Sequence, residues 1–343
     1  MHKSYIRHEI GSEFWDIPLM DEPNQIVPPE TKWFISGTSA LEWIVRDLNC
    51  EKHITTVSLP SWCCSCMIDP FLRNNIIIQF YPVYLDHDHR LICDFSNMAP
   101  SDATLLISYF GYTQQLSIGN PTGIIIRDTT HSIFTGIQSD ADYYFGSLRK
   151  WAGFWTGGYA WKSAPWSVKE IIPEINLEYV RLRETAMTEK KQYLQGQRQE
   201  KSYLSLYQEA EDYLDQCMLM GGVQRDIDAA CHFDTKTMKE QRRKNAEILL
   251  EELKQYAIFR ELSNADCPLF VPIILEKRER DELRKHLIKQ DIYCPIHWSI
   301  TNLHTLTPVE EQLYNNELSI VCDQRYDTED MGRIIRAIKG FLS

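Results

Sequence analysis

Short, nearly continuous apolar segments alternate with helical patterns in the first half of the chain. The apolar segments are rich in β-branched residues and comprise Ile54–Leu59, Ile76–Tyr81, Thr104–Tyr109 and Gly123–Arg127. Such segments are typical of strands that are buried on both faces of a parallel sheet. The segments Thr38–Leu48 and Cys63–Arg73 fit helices between them. This alternation predicts an α/β sheet with right-handed crossovers.

The second half of the chain is mainly helical in pattern. Residues 178–216 repeat Tyr and Leu at steps of three and four, which predicts a solvated amphipathic helix packed on the sheet; a coiled-coil or partner-binding segment is the alternative. Beyond them the pattern predicts three helices and two strands: Thr235–Gln255, Arg278–Lys289 and Asp327–Leu342, with Cys267–Leu275 and Leu318–Cys322. We therefore expect an irregular N-terminal arm (1–32), a large α/β domain (33–234) and a small C-terminal α+β domain (235–343).

Composition and charge narrow the class of protein. The 343 residues are 43% hydrophobic and carry a net charge of −12, which argues against nucleic acid as the main partner. The polar N-terminus does not resemble a signal peptide, and no apolar run approaches the roughly 20 residues of a membrane helix. We expect a cytoplasmic protein with no membrane partner.

Ten cysteines are present, and three of them are clustered at Cys63, Cys64 and Cys66. In a cytosol they are expected to be reduced. Their CCxC spacing differs from the CxxC of zinc sites, and no second Cys/His pair follows at a suitable distance. The sequence therefore predicts no metal, and buried free thiols in a core helix.

Two features near predicted strand ends could bind a ligand. Ser36-Gly37-Thr38-Ser39 opens a helix directly after a short strand, where Gly37 would allow a tight turn and Thr38 and Ser39 would offer hydroxyls and free N–H groups to a phosphate. Asp128 follows a buried strand, so it points to the crevice where such sheets bind ligands, and His131 is three residues further on. Taken singly, a plain helix cap and a turn-forming aspartate explain these residues as well.

A lysine among aromatics and glycines is the third feature. Lys150 follows the strand-like segment that ends at Ser147, and Gly157 and Gly158 come after it. A desolvated lysine there would have a lowered pKa and act as a nucleophile; a basic surface loop is the alternative. The segment His297-Trp298 in the small domain is, by itself, an ordinary turn or strand.

Taken in order, these features and several others resemble one known family. The sequence resembles the DegT/DnrJ/EryC1/StrS aminotransferases, the sugar-aminotransferase group of fold-type-I pyridoxal-phosphate (PLP) enzymes. The resemblance is carried by SGTSAL at 36–41, VSLPSWCCSC at 57–66, PVYLD at 82–86, SYFG at 108–111, RDTTH at 127–131, Lys150 before Gly157-Gly158, IHW at 296–298 and the tail beginning LSIVCDQRYDTED at 318. It extends from about residue 33 to the C-terminus.

The resemblance implies a fold and a set of site residues. The fold is that of aspartate aminotransferase, with a large domain built on a mostly parallel seven-stranded sheet and a small α+β domain. Lys150 would carry PLP as a Schiff base, Asp128 would pair with its pyridine nitrogen and His131 would bond the ring substituents. The remaining residues implied for the cofactor are Gly37, Thr38, Ser39, Cys64 and Ser147, and those implied for the substrate are His297 and Trp298.

The implied activity is transfer of an amino group from an amino acid such as glutamate to a nucleotide-linked keto-sugar. Polysaccharide or secondary-metabolite biosynthesis would be its setting, and a homodimer its assembly. The retained lysine favours transamination, because the dehydratase branch of the family has histidine there. The alternatives are another PLP reaction on this fold, or a non-catalytic relative that binds a partner or a sugar nucleotide. A nicotinamide dehydrogenase is excluded, because no GxGxxG follows the first buried strand.

Several positions depart from the family pattern. Phe145 stands where the family has a phosphate-binding serine, and Ser147 is its expected replacement. Cys64 falls where an aromatic residue stacks on the cofactor ring, with Trp62 two residues earlier. The asparagine-rich loop that reaches the partner subunit has no counterpart.

Overall fold

The computed structural model describes residues 9–136, 140–175, 177–216 and 218–343. The strands in these residues are β1 (Ile10–Gly11), β2 (Lys32–Phe34), β3 (Thr56–Pro60), β4 (Ile77–Tyr81), β5 (Val83–Leu85), β6 (Leu91–Asp94), β7 (Ala103–Ile107), β8 (Leu116–Ile118), β9 (Ile124–Asp128), β10 (Tyr143–Ser147), β11 (Gly158–Lys162), β12 (Phe270–Ile274), β13 (Ile292–Tyr293) and β14 (Glu317–Val321). The helices are α1 (Gly37–Lys52), α2 (Asp69–Arg73), α3 (Leu177–Leu194), α4 (Tyr203–Gln216), α5 (Gln224–Ala230), α6 (Thr235–Leu253), α7 (Lys277–Ile288), α8 (Pro308–Asn316) and α9 (Thr328–Leu342).

A seven-stranded sheet in the order β2-β11-β10-β9-β7-β3-β4 forms the centre of the fold. The strands from β10 to β4 pair in parallel, whereas β11 is antiparallel to both of its neighbours. The predicted mostly parallel sheet of seven strands is therefore confirmed. Because parallel strands end at one edge, the residues that follow β3, β7, β9 and β10 meet there.

Helix α1 covers one face of this sheet. Ser36 caps its N-terminus by accepting a hydrogen bond from the Ser39 N–H (3.2 Å). Its apolar side chains belong to the same core as Phe34 and Phe145, which lie on the sheet face below it. This packing fixes where the helix begins, and so it fixes the position of the Ser36–Ser39 segment.

The C-terminal part forms a second apolar core. Strands β12 and β14 pair in antiparallel fashion, and α6, α7 and α9 pack around them. The N-terminus of α9 is capped by Asp327, because its carboxylate accepts hydrogen bonds from the N–H groups of Glu329 (2.9 Å) and Asp330 (3.3 Å). The predicted small α+β unit is confirmed. Across the described ranges, no helix is both long and apolar enough to span a bilayer.

Residues 178–216 form two helices, α3 and α4, that pack against each other. Buried Tyr179, Leu182 and Ala210 share a small apolar cluster with Ile35 of the main body. The prediction of an amphipathic helical segment packed on the sheet domain therefore agrees with the structure, except that the helix is interrupted between residues 194 and 203.

The N-terminal segment is less irregular than its sequence indicates. Ile10 and Gly11 form β1, which pairs in parallel with Ile292 and Tyr293 of β13. Ile10 is fully buried in the C-terminal core. A two-residue strand that pairs with residues almost 300 positions away leaves no periodic signal in the sequence. Residues 1–8 of the predicted arm lie outside the described residues.

The helix predicted over Cys63–Arg73 is wrong in its first half. A single 3₁₀ turn covers Ser65–Met67, and α2 begins only at Asp69, with Pro70 in its first turn. Cys64 has extended backbone angles (φ −72°, ψ 139°). Cys63 is buried, but Cys64 and Cys66 are only half-buried. The expected burial therefore holds for Cys63 alone, and Cys63 does not lie in a helix.

Candidate active site

The start of α1 and the end of β10 meet at the edge where the parallel strands end. Gly158 of β11 pairs with both Phe34 of β2 and Ser147 of β10, which brings the ends of these strands together. A Cβ placed on Gly37 would lie 3.6 Å from the Ser147 Cβ. Ser147 is therefore beside the start of α1, where the sequence predicts that Ser36–Ser39 form a phosphate-binding site, here called the anion cup. Phe145 is turned into the core under α1.

The anion cup differs from the site predicted from the sequence in two details. Gly37 begins the helix without a positive φ, and a Cβ there would meet only ordinary contacts, so the expected tight turn is absent. Ser39 is fully buried and its hydroxyl lies 3.4 Å from the Met218 carbonyl, so it faces away from the edge. Thr38 and the first free N–H groups of α1 remain available to an anion.

Gly158 is the residue on which this arrangement depends sterically. A Cβ at this position would lie 2.1 Å from the Ser36 carbonyl oxygen, which is backbone and cannot move aside cheaply. We expect Gly158→Ala to lower the free energy of unfolding by about 1–3 kcal/mol and to displace the start of α1. Gly340→Ala is the matched control, because a Cβ at Gly340 meets nothing within 4 Å. Urea unfolding of the two variants measures the difference; equal stabilities would contradict the close packing at Gly158.

Asp128 lies at the end of β9, almost completely buried. Its carboxylate accepts a hydrogen bond from the Thr130 N–H at 2.7 Å. Burial raises the pKa of Asp128 to about 6, against the opposing effects of the Thr130 hydrogen bond and the positive charge of Lys150. A desolvated carboxylate of this kind is stabilised by a cationic partner.

His131 and the His297-Trp298 segment come together from opposite halves of the chain. The His131 ring lies 5.7 Å from the Trp298 ring at an interplanar angle of 18°, and 5.4 Å from the His297 ring. Burial, with a smaller effect of the Lys150 charge, lowers the pKa of His131 to about 3. His131 is therefore a neutral imidazole at physiological pH. Its Nδ1 lies 3.4 Å from the Phe110 N–H, a long hydrogen bond that makes Nδ1 the acceptor.

His297 is held by β14. Its N–H donates to the Glu317 carboxylate (2.7 Å), and its Nδ1 lies 2.9 Å from the Ser319 hydroxyl. Burial raises the pKa of Glu317 to about 8, although its hydrogen bonds with Ser319 and His297 oppose this. The sequence pattern gave no indication of Glu317, because a glutamate that begins a strand is ordinarily at the surface.

Lys150 ends the one-turn 3₁₀ helix that follows β10. It is exposed, whereas the sequence analysis expected a desolvated lysine. Its charge acts on Asp128, His131, His297 and Cys64. Residues predicted from separate segments of the chain thus lie within electrostatic range of one amine. The exposure of Lys150 follows from its position on the wall of an open cavity of about 360 Å³.

This cavity lies between the N-terminal segment, Lys150 and the C-terminal core. Four arginines that sequence reasoning missed also line it: Arg149 and Arg325, which form ion pairs with Glu211 and Asp323, and Arg242 and Arg284. Arg242 is fully buried, its Nη2 has no hydrogen-bond partner, and the guanidinium lies 4.6 Å from the Trp151 ring centroid. Within the described ranges, neither Arg242 nor Arg284 forms an ion pair. The cavity therefore suits an anionic ligand.

Cys64, where the resemblance expects a ring-stacking aromatic, is half-buried, with its sulfur 2.9 Å from that of Cys66. The hydroxyl of Thr38 hydrogen-bonds to Cys66, which places the thiols beside the start of α1. Trp62 is fully buried and stacks on Tyr109 (4.9 Å, 16°). Trp62 therefore belongs to the core, and Cys64 is the residue of this segment that borders the site.

A second cavity, of about 440 Å³, lies on the sheet face opposite α1. Arg127, Tyr144 and Trp161 line it together with residues 25–29. None of the site residues predicted from the sequence borders this cavity. The chemistry is therefore assigned to the Lys150 cavity.

The fold is similar to that of solved aminotransferase structures, some of which are sugar aminotransferases. No family model matches the sequence, and no curated protein does. Among solved structures, Helicobacter pylori PseC, an aminotransferase involved in the biosynthesis of pseudoaminic acid, is similar with a TM-score of 0.62 and 12% identity over 96% of this chain and 99% of that chain. A DegT DnrJ EryC1 StrS aminotransferase from Brucella abortus is similar with a TM-score of 0.57 and 17% identity over 91% and 85% of the two chains.

A third similar structure, NtdA from Bacillus subtilis, contains the cofactor PMP. Its TM-score is 0.58, with 13% identity over 91% of this chain and 73% of that chain. At these identities the likeness establishes the fold alone. The expectation of an aspartate aminotransferase-like, fold-type-I architecture is thereby confirmed.

Proposed function

We propose that the chain is a PLP-dependent aminotransferase that moves an amino group from an amino acid donor, such as glutamate, to a nucleotide-linked keto-sugar. One observation carries the proposal. Lys150 exerts its charge on buried Asp128 and His131 at the edge of the sheet where α1 begins with free N–H groups. Amine, acid and anion cup are the three groups that PLP requires.

The residues present fit this cofactor. Its phosphate would be held by the first N–H groups of α1 with Thr38 and Ser147, because Ser147 lies against Gly37. Its pyridine nitrogen would be held protonated by Asp128, whose buried carboxylate is stabilised by a positive partner. Ser39, which is turned toward Met218, has no part in this arrangement.

Bound PLP supplies an electron sink for the carbon that carries the amino group. Lys150 would hold the cofactor through its ε-amine and, when released, would move a proton to and from that substrate carbon at Nζ. His131, neutral because it is buried, would hydrogen-bond the ring substituents without adding a positive charge. Trp298 lies nearly parallel to His131 and would keep its ring in place.

The cationic cavity supports anionic substrates. An amino acid donor and the diphosphate of a sugar nucleotide both carry negative charge, and the Arg242 guanidinium, whose Nη2 has no hydrogen-bond partner in the protein, belongs to the cavity wall. His297 completes the wall toward the C-terminal core, and Trp298 follows it in the chain. We include in the proposal a homodimer, as the family resemblance implies, and the cytoplasmic location expected from the sequence.

Arg242→Met is expected to raise the KM for the anionic substrate by about 10- to 100-fold, because a charge-assisted hydrogen bond contributes about 1.5–3 kcal/mol. The turnover number should change much less. Initial rates at varied donor and acceptor concentrations identify which substrate Arg242 binds. Arg278→Met, at an exposed position of α7, is the control. If neither KM responds to Arg242→Met, the cavity is not the substrate site.

The function itself is tested by two half-reactions. PLP-loaded protein is mixed with glutamate, and loss of its visible band is followed; nucleotide keto-sugars are then tested for recovery of the band. The proposal expects both changes. Binding of PLP with no response to any amino acid would support a non-catalytic relative, and a response to amino acids without one to keto-sugars would support another PLP reaction on this fold.

A further inference from the structure

The Cys64-Ser65-Cys66 segment brings two free thiols into direct contact. Their sulfur atoms are 2.9 Å apart, closer than two sulfur atoms that merely pack together. Both residues are half-buried. Cys63 differs from the pair, because it is fully buried and its sulfur lies 3.9 Å from His304 instead.

The surroundings favour a thiolate on one member of the pair. The hydrogen bond that the Cys66 thiol donates lowers the pKa of Cys64 to about 7; burial opposes this, and the positive charge of Lys150 adds to it. The pKa of Cys66 is raised by the same contact and by burial. At neutral pH the segment therefore combines a nucleophilic sulfur with a protonated thiol at its side.

We propose that Cys64 and Cys66 form a peroxide-reactive modification site that closes to an intramolecular disulfide. Reactive cysteines of this kind are accessible, have a neighbouring resolving thiol, and need only a small movement to join it. Here one serine separates the two residues, and the sulfurs would approach from 2.9 Å to the bond length of about 2.05 Å. The inference concerns the thiols alone and is independent of whether the chain binds PLP.

The chemistry balances with hydrogen peroxide as the oxidant. The Cys64 thiolate attacks one peroxide oxygen, the O–O bond breaks, and the leaving hydroxide takes a proton to become water. Cys64 is now a sulfenic acid. The Cys66 sulfur attacks the Cys64 sulfur, the S–O bond breaks, and the departing hydroxide takes the Cys66 proton to become a second water. Two thiols lose two electrons and two protons, and one peroxide is reduced to two waters.

The position of the pair gives the modification a consequence. The Thr38 hydroxyl bonds to Cys66, and the charges of Asp128 and Lys150 act on Cys64. Closing the disulfide removes a negative charge beside Lys150 and consumes the Cys66 thiol in the 3₁₀ turn (Ser65–Met67) that contacts α1. The redox state of the pair therefore acts on the edge of the anion cup.

The test uses full-length, reduced protein treated with one equivalent of hydrogen peroxide and then alkylated. Trypsin releases one peptide, residues 53–73, that carries Cys63, Cys64 and Cys66. We expect this peptide to lose the mass of two hydrogens and to retain one alkylated cysteine, Cys63. We expect the reaction to be about ten-fold faster than oxidation of the exposed single cysteine Cys50, because thiolate, not thiol, is the nucleophile.

Three variants make the result decisive. In Cys66→Ser the disulfide cannot close, so dimedone should trap a sulfenic acid on Cys64; in Cys64→Ser neither product should form. Cys50→Ser is the matched control and should behave as the parent protein. Oxidation spread equally over Cys50 and the pair, a disulfide that includes Cys63, or no dimedone adduct in Cys66→Ser with an unchanged circular dichroism spectrum would overturn the proposal.

Discussion

Lys150→Ala is expected to lower the rate of amino-group transfer by about 10⁴-fold. The side chain has two roles in the proposed function, since it holds the cofactor and moves the substrate proton, and proton transfer by a positioned group alone contributes about 10²–10⁴-fold. Stopped-flow measurement of the half-reaction with glutamate gives the rate. Unfolding should be little affected, because Lys150 is exposed and forms no ion pair within the described ranges.

The matched control for this variant is Lys169→Ala. Lys169 is also exposed, follows β11 in the chain and lies away from the cavity. The same rate for Lys169→Ala as for the parent protein would show that loss of a surface charge is not the cause. A Lys150→Ala protein that transfers amino groups within ten-fold of the parent rate would contradict the role assigned to the lysine.

Asp128→Asn is expected to stabilise the cofactor-free protein while weakening its binding of PLP. The pKa of Asp128 is raised in the folded state, so its ionisation costs stability as the pH rises from its ordinary pKa of 3.8 to about 6. This difference corresponds to about 3 kcal/mol, present in full above pH 6 and absent below about pH 4. Asparagine keeps the acceptor for the Thr130 N–H but carries no charge.

Urea unfolding at pH 5 and pH 8 measures the stability part of this prediction, and the gain should be larger at pH 8. Titration with PLP measures the other part, where loss of a charged partner of the pyridine nitrogen should weaken binding by about 10- to 100-fold. Asp102→Asn is a control of opposite sign, because hydrogen bonds from Thr55 and Thr56 lower the pKa of Asp102. A destabilised Asp128→Asn protein would contradict the assigned environment.

Much of the fold could be predicted because its signals are local. Strands buried on both faces read as continuous apolar runs, and β3, β4, β7 and β9 all fall within two residues of the predicted segments. The caps of α1 and α9 are likewise set by neighbouring residues, Ser36 and Asp327. Asp128 could be placed at the sheet edge for the same reason, since its strand ends with it.

The parts that could not be predicted depend on contacts distant in sequence. Arg242 reaches the Lys150 cavity only because α6 packs beside Trp151, and no spacing along the chain encodes that. The pairing of β1 with β13 is of the same kind. Local reasoning also failed at Cys63–Arg73, where the apolar pattern suggested a helix but tertiary contacts hold Cys63: its N–H donates to the Tyr314 hydroxyl at 2.9 Å.

Of the site residues proposed from the sequence, most lie together at the sheet edge and one does not. The structure brings Gly37, Thr38, Ser147 and Cys64 to the edge where Asp128, His131, Lys150, His297 and Trp298 lie, and it turns Ser39 into the core. Helical periodicity does not show which side of the first turn faces the ligand, because both Thr38 and Ser39 have short polar side chains. Thr38 and Ser39 can be told apart only from the folded structure, in which the Ser39 hydroxyl contacts the Met218 carbonyl.

The central claim is that Lys150 binds PLP covalently. Purified protein is incubated with PLP, reduced with borohydride, digested and analysed by tandem mass spectrometry, with Lys150→Ala treated in parallel. We predict a visible absorption band before reduction, a reduced PLP adduct on the peptide containing Lys150, and neither in the variant. An adduct spread over several surface lysines, or one that persists in Lys150→Ala, would contradict the account.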